Sequence, residues 1–222
     1  MKVLAIDTAT EQCSVAVRLD DRTIEQRVLT PRGHAELLLP MVDQVMSEAG
    51  CTLADMDGLA FGRGPGAFTG VRIAVGAIQG ISLGSGLPVV GISTLAAVAQ
   101  QFAVEGESVL VCMDARMNEV YWAVYVRDRE GVLALQGEEH VGPPGSIPWH
   151  GSGIAMGVGT GFDAYPVLRE RLPGVPIEGA ALPRAGDIAL LGAMALHKGE
   201  GHRAAEAQPV YLRDQVAWVK AP

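Results

Sequence analysis

The chain has 222 residues, a length that allows one large domain or two smaller lobes with a real core. Hydrophobic residues make up 49% of it and charged residues 19%, which excludes a largely disordered segment. The formal net charge of −8 argues against nucleic-acid binding by bulk electrostatics, because such binding relies on Lys and Arg contacts to phosphates.

The first half of the sequence predicts three strands followed by alternating helices and strands, an order typical of a mixed sheet with helices packed on it. The first strand is short and apolar and ends in Asp7. The predicted elements are strands 2–7, 12–19 and 22–29, helix 34–49, strand 57–62, helix 69–85, strand 88–92 and a helix from about residue 93 to 103.

The same pattern restarts near residue 106, where strand 108–113 ends in Asp114 as the first strand ends in Asp7. The later predicted elements are strand 119–127, a strand around 132–135, an apolar glycine run at 154–161, and helices 162–172 and 186–198. The repeated pattern predicts two related lobes, 1–105 and 106–222, each with a mixed sheet flanked by helices. This is the α/β architecture of the actin, sugar kinase and Hsp70 (ASKHA) class. That analogy of fold assigns no activity.

The most informative segment is GRGPGAFTGVRIAVG, residues 62–76. Its glycines and proline predict a tight loop after a strand, and Thr69 is a candidate N-cap for the helix that follows. A strand, a glycine loop and a helix N-terminus in this order expose backbone N–H groups. The geometry suits either the binding of an anion or the close approach of another backbone.

Helix 69–85 carries glycines on one face, at residues 76, 80 and 84. Each costs about 1 kcal/mol relative to alanine, and close packing of a second helix would offset that cost. Helix 34–49 has an apolar arc of about 200°, wider than packing on one sheet requires. The partner of the glycine face is either helix 34–49 of the same chain or a helix of another molecule, and the surplus apolar arc favours the second.

Candidate catalytic groups are few. Asp7 and Thr8 follow the first strand, where a phosphate loop would lie, but Ala9, Glu11 and Gln12 replace its glycines, so Asp7 is interpreted as a turn cap. Gly157, Gly159 and Gly161 resemble a nucleotide-contacting turn, which is a weak signal.

The remaining chemistry-bearing residues show no catalytic pattern. Asp114 could accept a metal-bound water, but pairing with Arg116 or turn capping is favoured. The five histidines include no pair at i, i+3 or i+4, so no metal site is predicted, and no nucleophile has a neighbouring base. Three widely spaced cysteines and the lack of a long apolar run predict a cytoplasmic protein that does not contact membranes.

Five segments spread over nearly the whole chain resemble the bacterial TsaB (YeaZ) family. They are LAIDTAT (4–10), GRGPGAFTGVRIAVG (62–76), LPVVGISTLAAVAQ (87–100), MDARMNEVYWAVY (113–125) and PVYLRDQVAW (209–218). The resemblance implies a two-lobed, actin-like member of the apparatus that makes threonylcarbamoyladenosine in tRNAs reading ANN codons.

The resemblance also implies a partner role with no activity of the chain alone. TsaB-type proteins pair with the catalytic subunit TsaD, which binds the metal and transfers the threonylcarbamoyl group, and the ATPase TsaE completes the assembly. Family members form homodimers through the first-lobe helices. The chain itself is expected to hold no cofactor, with ATP or ADP bound only within the complex and tRNA contacted indirectly.

Carried over residue by residue, the resemblance places the interface on the two first-lobe helices. The expected interface residues are His34, Leu38, Met41, Val42, Val45, Thr69, Arg72, Ile73, Gly76, Gly80 and Gly84. Nucleotide contact would fall on Asp7, Thr8, Gly157, Gly159 and Gly161. The rival hypothesis is an active ATP-dependent phosphotransferase or ATPase of the two-lobed fold that uses Asp7. A peptidase is supported least, because the sequence offers neither a ligand set nor a nucleophile dyad.

Overall fold

The structure is a computed structural model that describes residues 1–148 and 153–213; His150 and the end of the 209–218 motif lie outside these ranges. The elements of the first half are β1 (Lys2–Asp7), β2 (Gln12–Leu19), β3 (Arg22–Leu29), α1 (His34–Ala49), β4 (Gly58–Gly64), α2 (Phe68–Ser85), β5 (Val89–Ser93) and α3 (Thr94–Gln100). Those of the second half are β6 (Ser108–Arg116), β7 (Glu119–Arg127), β8 (Leu133–Gly142), β9 (Met156–Val158), α4 (Gly161–Ala164), α5 (Val167–Glu170), β10 (Ile177–Glu178) and α6 (Ala185–His197).

The strands form two five-stranded sheets of one topology. The first has the order β3-β2-β1-β4-β5, and the second has the order β8-β7-β6-β9-β10. In each sheet the first three strands in sequence form an antiparallel meander, and the last two run parallel to the first. The predicted repeat is therefore real, and the predicted two-lobed, actin-like fold with mixed sheets flanked by helices is confirmed.

Helices cover both faces of the first sheet. On one face, α1 and α2 pack against alternate residues of β1 such as Leu4 and Ile6. On the other face, α6 packs against Val3 and Ala5. The small residues of α6 permit a close approach, since a Cβ on Gly192 would lie 2.6 Å from the Cβ of Ala60.

The packing does not follow the predicted lobe limits of 1–105 and 106–222. Helix α6 belongs to the second half of the chain but covers the first sheet. Helix α3 belongs to the first half, yet Leu95 and Val98 pack with the second sheet. A boundary at residue 105 separates the two sheets but not their covering helices, because each half supplies one helix to the other lobe.

A polar network also joins the lobes. Arg63 of β4 pairs with Glu139 of β8 at 3.3 Å, and the Tyr125 hydroxyl donates to the second carboxylate oxygen of Glu139 at 2.8 Å. The Ser93 hydroxyl lies 3.4 Å from that of Tyr125 and accepts hydrogen bonds from the Leu95 and Ala96 amides. The network fixes the second sheet against the start of α3.

Several predicted boundaries are corrected by the structure. Helix α2 begins at Phe68 with Ala67 at its N-cap, so Thr69 is not the cap and lies exposed in the first turn. Predicted helix 162–172 is two short helices interrupted at Pro166, whose nitrogen cannot donate. Strand β8 extends well past the predicted 132–135. Within the described ranges, no helix is both long and apolar enough to cross a bilayer.

Four expected interface residues of α1 lie in the core of the first lobe. Leu38, Met41, Val42 and Val45 are buried between α1 and the sheet. An apolar arc on a helix cannot by itself distinguish the chain's own core from a partner. The structure therefore gives these four side chains a folding role, and their contact with a partner has no support from it.

The core role of α1 predicts that truncating two adjacent leucines changes the free energy of unfolding by very different amounts. Leu38 is 1% exposed and Leu39 is 53% exposed. Leu38→Ala should lower the free energy of unfolding by about 2–5 kcal/mol, since it leaves a cavity, whereas Leu39→Ala should change it by less than about 0.5 kcal/mol. Urea denaturation of both variants measures the difference, and equal losses would contradict this assignment.

Candidate functional site

A cavity of about 720 Å³ lies between the two lobes. It is lined by the β1–β2 turn, the β3–α1 loop, the β4–α2 loop and the β6–β7 turn. The N-terminal ends of α1 and α2 both border it. Its charged lining is mixed, with Arg32 and Arg116 facing a cavity that also contains Glu11 and Glu36, so it offers no field of one sign.

Asp7, the strand-end acid, is buried and does not line this cavity. One carboxyl oxygen accepts a hydrogen bond from the Ala9 amide at 3.2 Å, which is the turn cap that the sequence favoured. The other oxygen has no hydrogen-bond partner among the described residues, and a Cβ on Gly62 would overlap it. Burial raises the pKa of Asp7 from 3.8 to about 7.

The glycines of the 62–76 loop permit close backbone packing within the chain. A Cβ on Gly66 would overlap the carbonyl oxygen of Ala9, and one on Gly70 would overlap that of Thr8. The Ala67 amide donates to Ala9 at 2.8 Å, and the Thr8 hydroxyl donates to the Gly70 carbonyl at 2.7 Å. Of the two roles left open for this loop, the structure displays the close approach of another backbone.

The second glycine turn is likewise packed against its own lobe. A Cβ on Gly157 would lie 2.7 Å from the Phe162 ring, and one on Gly161 would lie 2.9 Å from the Cys112 carbonyl oxygen. Gly159 has a φ of +109° and also abuts the Cys112 carbonyl. None of the three lines the cavity. Their predicted nucleotide contact therefore has no structural support, and close packing explains why glycine is present.

Asp114 and His34 make contacts within the chain. Asp114 pairs with Arg116 at 2.8 Å and accepts a hydrogen bond from the Tyr165 hydroxyl at 3.0 Å, which is the structural role that the sequence favoured. The Nε2 atom of His34 lies 2.9 Å from the Thr10 carbonyl oxygen and ties the start of α1 to the β1–β2 turn. Residues 1–148 and 153–213 include no group of three His, Cys, Asp or Glu residues placed to hold a metal ion.

The glycine face of α2 is exposed to solvent. Apart from the neighbouring residues and the backbone of α2 itself, no described atom lies within 4 Å of a Cβ placed on Gly76, Gly80 or Gly84. Leu83 beside them is 78% exposed. Ile73, less than one turn before Gly76, is half-buried and packs against the first core. The intramolecular explanation of the glycine face is therefore excluded for the described residues.

An aromatic and cationic cluster at the start of α2 was missed at the sequence level. The guanidinium carbon of Arg72 lies 3.3 Å from the Phe68 ring centroid and 5.0 Å from that of Tyr211. Phe68 precedes Arg72 by four residues, a spacing that predicts contact on a helix. Tyr211 comes from the distant end of the described chain, so no local pattern could have revealed it.

Curated relatives match the whole chain, and a family model matches its middle part. The family model of TsaD, tRNA N6-adenosine threonylcarbamoyltransferase, matches residues 22–147. The tRNA threonylcarbamoyladenosine biosynthesis protein TsaB of Escherichia coli is 42% identical over 100% of this chain and 99% of its own length. The Haemophilus influenzae TsaB protein is 38% identical over 100% of this chain and 98% of its own.

Solved structures give the same result. YeaZ from Pseudomonas aeruginosa superposes with a TM-score of 0.84 at 42% identity, covering 95% of this chain and 99% of that chain. An uncharacterized Pseudomonas aeruginosa protein with similarity to peptidase YEAZ gives a TM-score of 0.85 at 43% identity, covering 96% and 99%. These likenesses extend across both lobes.

The buried Asp7 carboxyl predicts a pH-dependent stability. Between pH 3.8 and about 7 the unfolded chain loses this proton while the folded chain retains it. Raising the pH through this window should therefore destabilise the fold, by roughly 4 kcal/mol at most, and the loss should level off above about pH 7. Chemical denaturation of the wild type and of Asp7→Asn across the window measures this effect.

The Asp7→Asn variant should lack this part of the pH dependence. Burial also raises the pKa of Asp187, to about 6, so this group contributes in the same direction and remains in both proteins. The difference between the two profiles therefore isolates Asp7. Parallel profiles would show that the Asp7 carboxyl is not protonated in the fold.

Proposed function

The chain belongs to the TsaB family of tRNA threonylcarbamoyladenosine biosynthesis proteins, and we propose that within this pathway it is a non-catalytic subunit that docks onto a TsaD-type transferase and activates it. Together with a TsaE-type ATPase, the pair transfers the threonylcarbamoyl group to adenosine of tRNAs reading ANN codons. The chain contributes a docking surface to this assembly, and TsaD contributes the metal and the chemistry.

The open glycine face of α2 is the observation that carries this proposal. Three mid-helix glycines cost about 1 kcal/mol each, and no atom of the described chain packs on them to offset that cost. A partner helix can approach such a face closely enough for backbone-to-backbone dispersion contacts. We define the docking face as the solvent-exposed side of α2 that contains Gly76, Gly80 and Gly84.

The same face also serves a homodimer of this chain. A dimer with twofold symmetry uses one patch twice, so the patch must be self-complementary. A helix face built of glycines meets this condition, because no side chains on the two copies clash when the faces meet. The homodimer and the TsaD heterodimer then compete for one surface, and formation of the active complex displaces the homodimer.

The packing of the candidate catalytic groups supports a non-catalytic role. Asp7 is buried behind the cavity wall, and the glycine turns contact their own lobe. The net charge of −8 favours an arrangement in which tRNA is held by other subunits. ATP or ADP, where present, belongs to the shared complex. The three free cysteines, two of them buried, fit a reducing cytoplasm.

Gly80→Leu tests the docking face. The added side chain has open space in the free chain, and a leucine is a better helix former than glycine, so the free protein should be at least as stable as the wild type. It should nevertheless hold a partner helix away. We expect the affinity for the TsaD-type subunit to fall by more than about tenfold, with a matching loss of tRNA modification by the complete system.

Gly145→Leu is the matched control, because this glycine also has nothing within 4 Å of a Cβ but lies in the second lobe, before the β9 strand. Titration calorimetry with the purified TsaD-type subunit gives the affinities, and thermal unfolding checks the folds. Unchanged binding by Gly80→Leu would refute the docking face. Turnover of ATP by the isolated chain that Asp7→Asn abolishes would instead support the phosphotransferase hypothesis.

A further inference from the structure

In the cluster of Phe68, Arg72 and Tyr211, an exposed arginine side chain lies against two aromatic rings. The Arg72 guanidinium stacks on the Phe68 ring at 3.3 Å and lies 5.0 Å from the Tyr211 ring centroid. The two rings are 5.6 Å apart and tilted by 34°. Phe68 is 54% exposed and Tyr211 is 41% exposed, so the cluster is open to a partner.

Among the described residues, no carboxylate forms an ion pair with Arg72. Arg63, Arg116 and Arg213, by contrast, each form one. A guanidinium stacked by its face keeps its N–H donors free at its edges. These donors match the two oxygens of a carboxylate, and the stacking limits the side-chain entropy lost when one binds.

Tyr211 is held in place by contacts to both lobes. The Gln79 side chain donates to the Ala207 carbonyl at 3.0 Å, and the Val210 amide donates to the Arg63 carbonyl at 2.7 Å. On the other side, Arg213 donates to the Ala115 carbonyl at 3.2 Å. The segment 207–213 is thereby fixed along α2, and the second ring of the cluster is positioned before any partner arrives.

The cluster is continuous with the docking face. Phe68, Arg72 and Gly76 follow one another at intervals of four residues, so Arg72 adjoins the Gly76 end of the docking face, with each step turning about 40° around α2. A helix that packs along the glycines reaches the cluster at its end nearest the cavity. Tyrosine and arginine are among the residue types that most often dominate binding energy at protein interfaces.

We propose that Arg72, oriented by Phe68 and Tyr211, binds a side-chain carboxylate on the helix of the protein partner that packs against the glycine face. This inference rests on the proposed function, in which that partner is the TsaD-type subunit. The glycines set how closely the partner helix approaches, and the Arg72 pair sets its register and direction. Arg72 is not ion-paired within residues 1–148 and 153–213, and it supplies the directional contact that the glycines lack.

Charge reversal at Arg72 tests the pair directly. Arg72→Glu should weaken binding of the TsaD-type subunit by more than about tenfold and flatten the dependence of affinity on salt. Arg72→Lys keeps the charge but not the planar fork and should remain well below the wild type. Tyr211→Ala should weaken binding several-fold, because Arg72 then loses one of its two rings. Arg129→Glu, on the exposed β7–β8 turn, is the control for net charge and should bind like the wild type.

The outcomes separate this inference from the proposed function. If Gly80→Leu disrupts the complex while Arg72→Glu does not, the docking face stands and the carboxylate pair is refuted. If neither variant affects binding, the proposed function fails as well. Wild-type binding by Arg72→Lys would refute recognition by the guanidinium fork. Loss of self-association alone, measured by analytical ultracentrifugation of Arg72→Glu, would assign the carboxylate to a second copy and overturn the proposal.

Discussion

The close contact between the β1–β2 turn and the loop that precedes α2 governs the architecture of the first lobe. Gly66 and Gly70 lie directly against the carbonyl groups of Ala9 and Thr8, with no room for a side chain between the two backbones. This contact fixes where α2 begins and how it lies on the sheet. It thereby places the first turn of α2, which carries Phe68 and precedes Arg72.

Glycine thus has two opposite roles in this protein. In the loops, it lets two segments of one chain meet backbone to backbone. Along α2, it leaves a surface without side chains that the described chain does not cover. The loop glycines are packed inside the chain and the glycines of α2 are exposed, and both observations are consistent with the proposed partner-binding role.

The sequence predicted features that depend on local pattern and missed those that depend on distant contacts. The paired hairpins, the bounds of α1 and the exposed glycine stripe all follow from periodicity and turn residues. The assignment of Leu38 and Val45 to an interface was not supported, because an apolar stripe looks the same whether it covers its own sheet or another molecule. The Arg72 cluster could not be predicted from local pattern because Tyr211 is distant in the sequence. The packing of α6 on the first sheet could not be predicted because it depends on contacts with β1.

The exchange of helices between the lobes has a consequence for biosynthesis. The face of the first sheet that contains Val3, Ala5 and Ala60 is covered by α6, which ends at His197. During translation this apolar face therefore stays uncovered until α6 has left the ribosome, and the first sheet cannot be fully covered before the strands of the second sheet have been made. The nascent chain must keep its earliest strands from aggregating until α6 has been synthesised.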